Sequence, residues 1–204
     1  NIGANTLNIE GSNGLTTTAT NGIITATTID ASAMTGALVM NVAAASVTTI
    51  TGGSAADTLV GDASSTINGG AGNDTITGGS GNDTLNGDAG DDSITTGAGT
   101  DTTNGGAGDD TLIYGANVSA NDVIGGGDGT DTLSMTNASV ITLGALGITA
   151  ANTFNTNLTG VERVTISDDL DATGDAFDFG RVDGVQYITL NDIGGSQTIS
   201  GIAS

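Results

Sequence analysis

From Gly69 to Ile113 the chain repeats every nine residues, as GGAGNDTIT, GGSGNDTLN, GDAGDDSIT, TGAGTDTTN and GGAGDDTLI. Each block has small residues at positions 1 to 4 and Asp at position 6. All but the fourth have a branched apolar residue at position 8. A unit this short cannot bury its own apolar residue, so a fixed short period folds by stacking into a solenoid. Positions 7 to 9, such as Thr75-Ile76-Thr77, read as a short strand whose central residue points inward and whose neighbours point outward. Two nonapeptides make one coil. Loops eighteen residues apart therefore stack on one edge at the inter-strand distance, about 4.8 Å. This spacing pairs Asp74 with Asp92, Asp83 with Asp101 and Asp92 with Asp110.

The loops point to a metal. Glycine at positions 1, 2 and 4 is read as serving φ > 0, which lets the backbone turn tightly and aim several carbonyl oxygens into one space. Calcium takes six to eight hard oxygen ligands, and carbonyls with a carboxylate at position 6 meet that need. The pattern G-G-x-G-x-D-x-U-x resembles the calcium-binding repeats of the repeats-in-toxin (RTX) family of secreted bacterial proteins. The resemblance implies several Ca2+ ions between stacked loops. It implies that one loop offers the carbonyls of positions 1 and 3 to one ion and those of positions 2 and 4 to the next. In this chain those residues are Gly69, Gly70, Ala71 and Gly72 in the first block, then Gly78, Gly79, Ser80 and Gly81. Gly87, Asp88, Ala89 and Gly90 follow, then Thr96, Gly97, Ala98 and Gly99, and last Gly105, Gly106, Ala107 and Gly108. The carboxylates are those of Asp74, Asp83, Asp92, Asp101 and Asp110.

The register extends beyond these blocks. GGSAADTLV from Gly52 puts Asp57 at position 6. The next block, GDASSTIN from Gly61, is one residue short and lacks that Asp, which predicts a weak or empty site. Downstream, Tyr114-Gly115-Ala116 reads as a three-residue insertion forming one bulged loop. NVSANDVIG and GGDGTDTLS then resume the period, with Asp122 and Asp131 at position 6. Thr103 at position 8 is a polar core position and an expected soft spot.

Composition alone would suit a flexible acidic linker, but a linker has no reason to repeat Asp and Ile two residues apart every nine. Net charge is −21, with 23 acidic residues against two arginines, Arg163 and Arg181. Two carboxylates about 4 Å apart repel by roughly 4 kcal/mol at an effective dielectric of 20. Stacked rows of Asp therefore need cations, and folding is expected to be coupled to metal. The charge excludes nucleic acid as a partner and disfavours an anionic membrane surface. No apolar run reaches spanning length, so direct membrane insertion is not expected. His, Lys and Cys are absent, which removes Ser–His pairs, Lys nucleophiles, disulfides and His- or Cys-built zinc sites. Paired carboxylates remain, as in glycoside hydrolysis, and Asp168 or Glu162 with Asp183 would be the pair. Aromatic residues make up only 2% of the chain, scant provision for a substrate cleft. The reading is of a non-enzyme, with Glu162 a strand residue paired to Arg163 or Arg181.

The predicted fold class is all-β, a right-handed parallel β-roll or β-solenoid with calcium-poor coils on both sides. Residues 1–51 form such coils, with Ile9, Ile29, Val39 and Ile50 on the spine and a weak rung near Ala19; a separate small sandwich is the alternative. Residues 52–134 form the nonapeptide roll. Residues 135–204 form a β-rich solenoid or cap, with Thr142 to Phe154 a short helix or long loop. VERVTIS, VQYITL and QTISGI alternate like strands. Asp168, Asp169, Asp171, Asp175 and Asp178 are either a solvated loop or a further calcium site. The run from GGDGTDTLS to NLTGVERVTISD, and DASAMTGALVMNV before the repeats, resemble segments of bacterial surface-layer (S-layer) proteins. That resemblance implies a protein of the bacterial cell surface, and the RTX resemblance implies type I secretion. Its partners would be copies of itself in a lattice, and cell-surface glycan through another region. Asn1 reads as the cut end of a larger protein. Two other functions compete: the RTX tail of a secreted protease or lipase, and an ice-binding β-roll. The last needs a flat Thr and Asn ladder, yet position 3 reads Ser54, Ala71, Ser80, Ala89, Ala98 and Ala107.

Overall fold

The computed structural model describes residues 6–18, 26–42, 47–119, 121–136, 158–167, 187–192 and 195–200. Ahead of the repeats lie β1 (Thr6–Gly11), β2 (Leu15–Thr18), β3 (Thr28–Met34), β4 (Leu38–Asn41) and β5 (Thr49–Thr51). The repeats supply β6 (Thr58–Val60), β7 (Thr66–Ala71), β8 (Thr75–Ser80), β9 (Thr84–Ala89), β10 (Ser93–Ala98), β11 (Thr102–Ala107), β12 (Thr111–Gly115), β13 (Val123–Asp128) and β14 (Thr132–Thr136). Beyond them come β15 (Leu158–Thr159), β16 (Arg163–Ser167), β17 (Tyr187–Asp192) and β18 (Gly195–Ser200).

Successive strands alternate between two sheets. The odd-numbered strands from β1 to β15 form an eight-stranded sheet, and a ten-stranded sheet runs from β2 through the even strands to β16, β17 and β18. Neighbouring strands are parallel up to β17; only β18 turns back, antiparallel to β17. Within the repeats Ser93 lies opposite Thr75 and Ile94 opposite Ile76, so two blocks do make one coil. The molecule is a parallel β-solenoid, and the flanking strands belong to the same two sheets as the repeats.

Position 8 builds the core. Leu59, Ile67, Ile76, Leu85, Ile94, Leu112, Ile124 and Leu133 are all fully buried between the sheets. Burying one such side chain stabilises by about 1.5–3 kcal/mol. The strands are longer than the sequence suggested. Most repeat strands run six residues, as in TITGGS, so positions 1 to 3 join the ladder after positions 7 to 9. Where position 1 is glycine, as at Gly69, Gly78 and Gly87, it is buried on the core face with position 8.

Three sequence expectations need correction or completion. Val39 is 38% exposed while Leu38 and Met40 are fully buried. The spacing of Ile9, Ile29, Val39 and Ile50 marks a rung but leaves its parity open, and a one-residue shift turns a strand's side chains to the opposite face. Ile29 and Ile50 are buried as expected and Ile9 packs against the core; Ala19 lies outside the described residues. The insertion is not wholly external either. The pairing of β12 with β14 shifts between Ile113 and Gly115, and Tyr114 is buried at the bulge. Its hydroxyl lies 2.9 Å from Thr103 Oγ1. The expected soft spot at Thr103 is therefore a buried polar group with its partner supplied. Finally, Thr142 to Phe154, Asp168, Asp169, Asp171, Asp175, Asp178, Arg181 and Asp183 lie outside the described residues.

Candidate metal centre

Each position-6 residue sits in the loop just before a strand, so the two loops of a coil place these residues in two rows on opposite edges. One row is Asp57, Asp74, Asp92, Asp110 and Asp131. The other is Ser65, Asp83, Asp101 and Asp122. Within a row the Oδ1 of one Asp accepts the backbone N–H of the position-6 residue in the coil before it. Asp74 N–H donates to Asp92 Oδ1 and Asp92 N–H to Asp110 Oδ1, both at 2.7 Å. On the other edge Asp83 N–H donates to Asp101 Oδ1 at 2.9 Å. The bonds from Asp101 to Asp122 and from Asp110 to Asp131 span 21 residues, so the insertion shifts both rows alike. Asp57 joins the first row by donating to Asp74 Oδ1 across 17 residues, which absorbs the short block. In that block Ser65 takes the Asp position: it is buried, and its N–H donates to Asp83 Oδ1.

The second carboxylate oxygens separate the sites. Oδ2 of Asp74, Asp83, Asp92, Asp110 and Asp131 is buried and has no hydrogen-bond partner. Each lies over the position-1 residue of its own block, beside the position-1 carbonyl of the following coil. A Cβ on Gly78, for example, would lie 2.6 Å from Asp83 Oδ2 and 2.5 Å from Thr96 O. Gly69, Gly87, Gly105 and Gly126 show the same convergence, of Asp74, Asp92, Asp110 and Asp131 Oδ2 with Gly87, Gly105, Gly126 and Gly160 O respectively. At these five glycines a side chain would occupy this space. Positive φ belongs to positions 2 and 4, as at Gly70 (105°) and Gly72 (112°), where the sequence reading had included position 1. Asp88 takes position 2 with φ 73°, a conformation that Asp tolerates better than most residues. Asp57 and Asp122 differ from the other five. Asp57 Oδ2 accepts Gly53 N–H at 2.7 Å, and Asp122 Oδ2 accepts Ser119 N–H at 2.6 Å.

A buried anionic oxygen without a donor is costly, and here it recurs at one place in successive coils. Burial raises these carboxyls: Asp74 to about 7, and Asp83, Asp92 and Asp110 to about 6. The accepted backbone N–H pulls the other way, and neighbouring aspartates add to the rise. Asp101 and Asp131 are raised for the same leading reason. The donor set fits calcium: hard oxygens only, paired as carboxylate and carbonyl, with uncompensated negative charge. Among the described residues no three His, Cys, Asp or Glu side chains group as a metal site, so an ion here would draw largely on backbone carbonyls. Bound calcium would supply the charge that lets the stacked carboxylates ionise together.

Four further features escaped the sequence reading. Position 5 forms its own external ladder: Asn73 Oδ1 accepts Asp91 N–H, Asp91 Oδ1 accepts Asp109 N–H, and Asp109 Oδ1 accepts Thr130 N–H. The signal was present, since Asn, Asp and Thr at position 5 all carry a side-chain oxygen. Asn86 donates to Asn68 across the coil at position 9, at 2.7 Å. Thr96, where most blocks have glycine, buries a hydroxyl with no partner. Glu162 precedes β16, outside the strand, and its Oε2 accepts Asp131 N–H at 2.8 Å. It continues the first row as a hydrogen-bond acceptor.

Fold and site together define a calcium-binding β-solenoid built on a nonapeptide. The family comparison names the repeat: residues 49–65, 61–94, 77–112 and 119–134 match the RTX calcium-binding nonapeptide repeat. This stretch is an RTX calcium-binding β-roll, a structural module that is not catalytic by itself, and RTX repeat proteins are typically secreted. The searches of curated proteins and of solved structures gave no match.

Proposed function

We propose that this chain is a calcium-folded structural segment of a bacterial surface-layer or other cell-surface protein, in which calcium drives both folding and assembly. Asp131, Asp110, Asp92, Asp74 and Asp83 hold the ions, with the carbonyls of the stacked loops. The observation that carries this reading is the continuity of the solenoid. Strands β1 to β5 and β15 to β17 extend the same two sheets beyond the repeats, which suits a stiff spacer better than a short tail. The net charge of −21 keeps copies apart without metal, and calcium neutralises it. The partners are further copies of the same protein, and surface glycan bound by another region.

The competing reading is the RTX module of a secreted protease or lipase. The full-length protein separates the two. Electron microscopy and light scattering, with and without calcium, should show ordered sheets only with calcium. A monomer that hydrolyses protein or lipid, with activity rescued by calcium, would overturn the lattice reading.

A further inference from the structure

The nonapeptide match ends at residue 134, but the first row of carboxylates does not. Strand β15 pairs with β13, placing Leu158 opposite Ile124 and Thr159 opposite Gly125. Gly160 is then the counterpart of Gly126 at position 1. Strand β16 pairs with β14, placing Arg163 opposite Thr132, so Glu162 is the counterpart of Asp131 at position 6. Gly160-Val161-Glu162 thus replaces a six-residue loop with three residues. Even so, the features of the row recur. Glu162 Oε2 accepts Asp131 N–H at 2.8 Å, as Asp131 Oδ1 accepts Asp110 N–H at 2.8 Å. Gly160 O and Asp131 Oδ2 converge over Gly126, as Gly126 O and Asp110 Oδ2 converge over Gly105.

We infer that the Gly160–Glu162 turn is a calcium loop outside the nonapeptide pattern, and that Asp131, the Gly160 carbonyl and Glu162 form a terminal calcium site. The inference rests on the calcium reading of the rows. Its independent support is Asp131 Oδ2, fully buried and without a partner at the end of the row. Two other aspartates at the margins of the roll are closed by backbone donors: Gly53 N–H on Asp57 and Ser119 N–H on Asp122. Asp131 has no such donor and faces a second carboxylate. A plain cap for Asp131 N–H would need only a neutral acceptor, whereas a second negative charge beside a buried one calls for a cation. The side chain of Glu is one methylene longer than that of Asp, which makes up reach lost in the shorter turn. The turn also offers fewer carbonyls, so this site binds more weakly than those between two nonapeptide loops, since calcium affinity follows ligand number and charge.

Calcium titration calorimetry on the whole chain tests this, with circular dichroism as a check on folding. Glu162→Gln keeps an oxygen for Asp131 N–H and removes the charge. It should lose one ion per chain, the weakest, and leave the tighter part of the isotherm unchanged. Glu162→Asp, which keeps the charge, should retain that ion with lower affinity. A full ion count with unchanged affinity in both variants would overturn the terminal site and leave Glu162 a hydrogen-bonding cap. Absence of calcium binding by the unmodified chain would instead sink the reading of the repeats themselves.

Discussion

The two edges of the roll are built from one repeat, yet they are not equivalent. On the edge of Asp74 and Asp92 every coil from Gly52 to Gly126 has glycine at position 1 and Asp at position 6, and four consecutive carboxylates keep a buried, unpartnered Oδ2. On the opposite edge Ser65 replaces Asp, and Thr96 and Asn117 replace glycine. There Asp122 is closed by Ser119 N–H, and among the described residues of that edge only Asp83 has an unpartnered buried Oδ2. Asp at position 6 therefore does not by itself leave a carboxylate oxygen open to a cation. What separates the aspartates is whether a backbone donor of their own loop reaches the second oxygen, as Gly53 N–H reaches Asp57 and Ser119 N–H reaches Asp122.

The largest test of this difference substitutes one aspartate on each edge. Asp92→Asn should remove bound calcium and cost about 2.7 kcal/mol for each site lost, when calcium stands a hundredfold above Kd. Asp122→Asn should also destabilise, because an amide NH2 would face a backbone N–H, but it should leave the ion count unchanged. Calorimetry and metal analysis check both. Equal ion loss from the two substitutions would remove the distinction between the edges.

The next effect is on pH. In the metal-free fold Asp74, Asp92, Asp110 and Asp83 titrate near 6 to 7, above a carboxyl in an unfolded chain. The fold therefore holds the extra protons. Its stability is greatest in acid and falls as pH rises from about 4 through about 7. Circular dichroism in EDTA should show more β structure at pH 5 than at pH 8. Calcium should remove that dependence near neutral pH, and its apparent affinity should fall as pH drops through this range. Asp74→Asn should flatten the metal-free curve most between pH 6 and 7. A metal-free protein more ordered at pH 8 would contradict the assigned burial of the row.

The smallest effect concerns Thr96. Replacing it with Val keeps the shape and removes the partnerless hydroxyl, which should stabilise by about 1 kcal/mol with the ion count unchanged. Loss of an ion in Thr96→Val would make the hydroxyl a ligand and the second edge better furnished than its geometry indicates.

Much of this was legible in the sequence because the period is short and strict. Asp and Ile at fixed positions gave the coil length, the paired aspartates and the inward residues. The shift of 21 residues on both rows followed from one insertion. What stayed hidden depends on three-dimensional neighbours. Asp57 and Asp92 both stand at position 6, and the Gly53 N–H that closes Asp57 is not visible in the repeat pattern. Val39 read as a spine residue because spacing between rungs leaves parity open. Tyr114 read as a loop residue because nothing local marks the space around Thr103 that it fills. Glu162 read as a strand residue because a three-residue turn carries no repeat signature, although its place before an alternating strand matches that of every position-6 Asp.

The parallel ladder also has a mechanical consequence. The backbone hydrogen bonds of both sheets lie along the stacking axis. The chain enters near β1 and β2 at one end, and its last described strands lie at the other. A pull between the ends therefore loads one coil's bonds at a time, and the rod peels instead of shearing. A regular coil released within the repeats returns eighteen residues, about 60 Å of extended chain. Ions held between adjacent coils as proposed would raise the force for each step, so that the metal-poor turns would let go first and the Asp74–Asp131 stretch last. Calcium concentration then sets the tension at which such a rod lengthens.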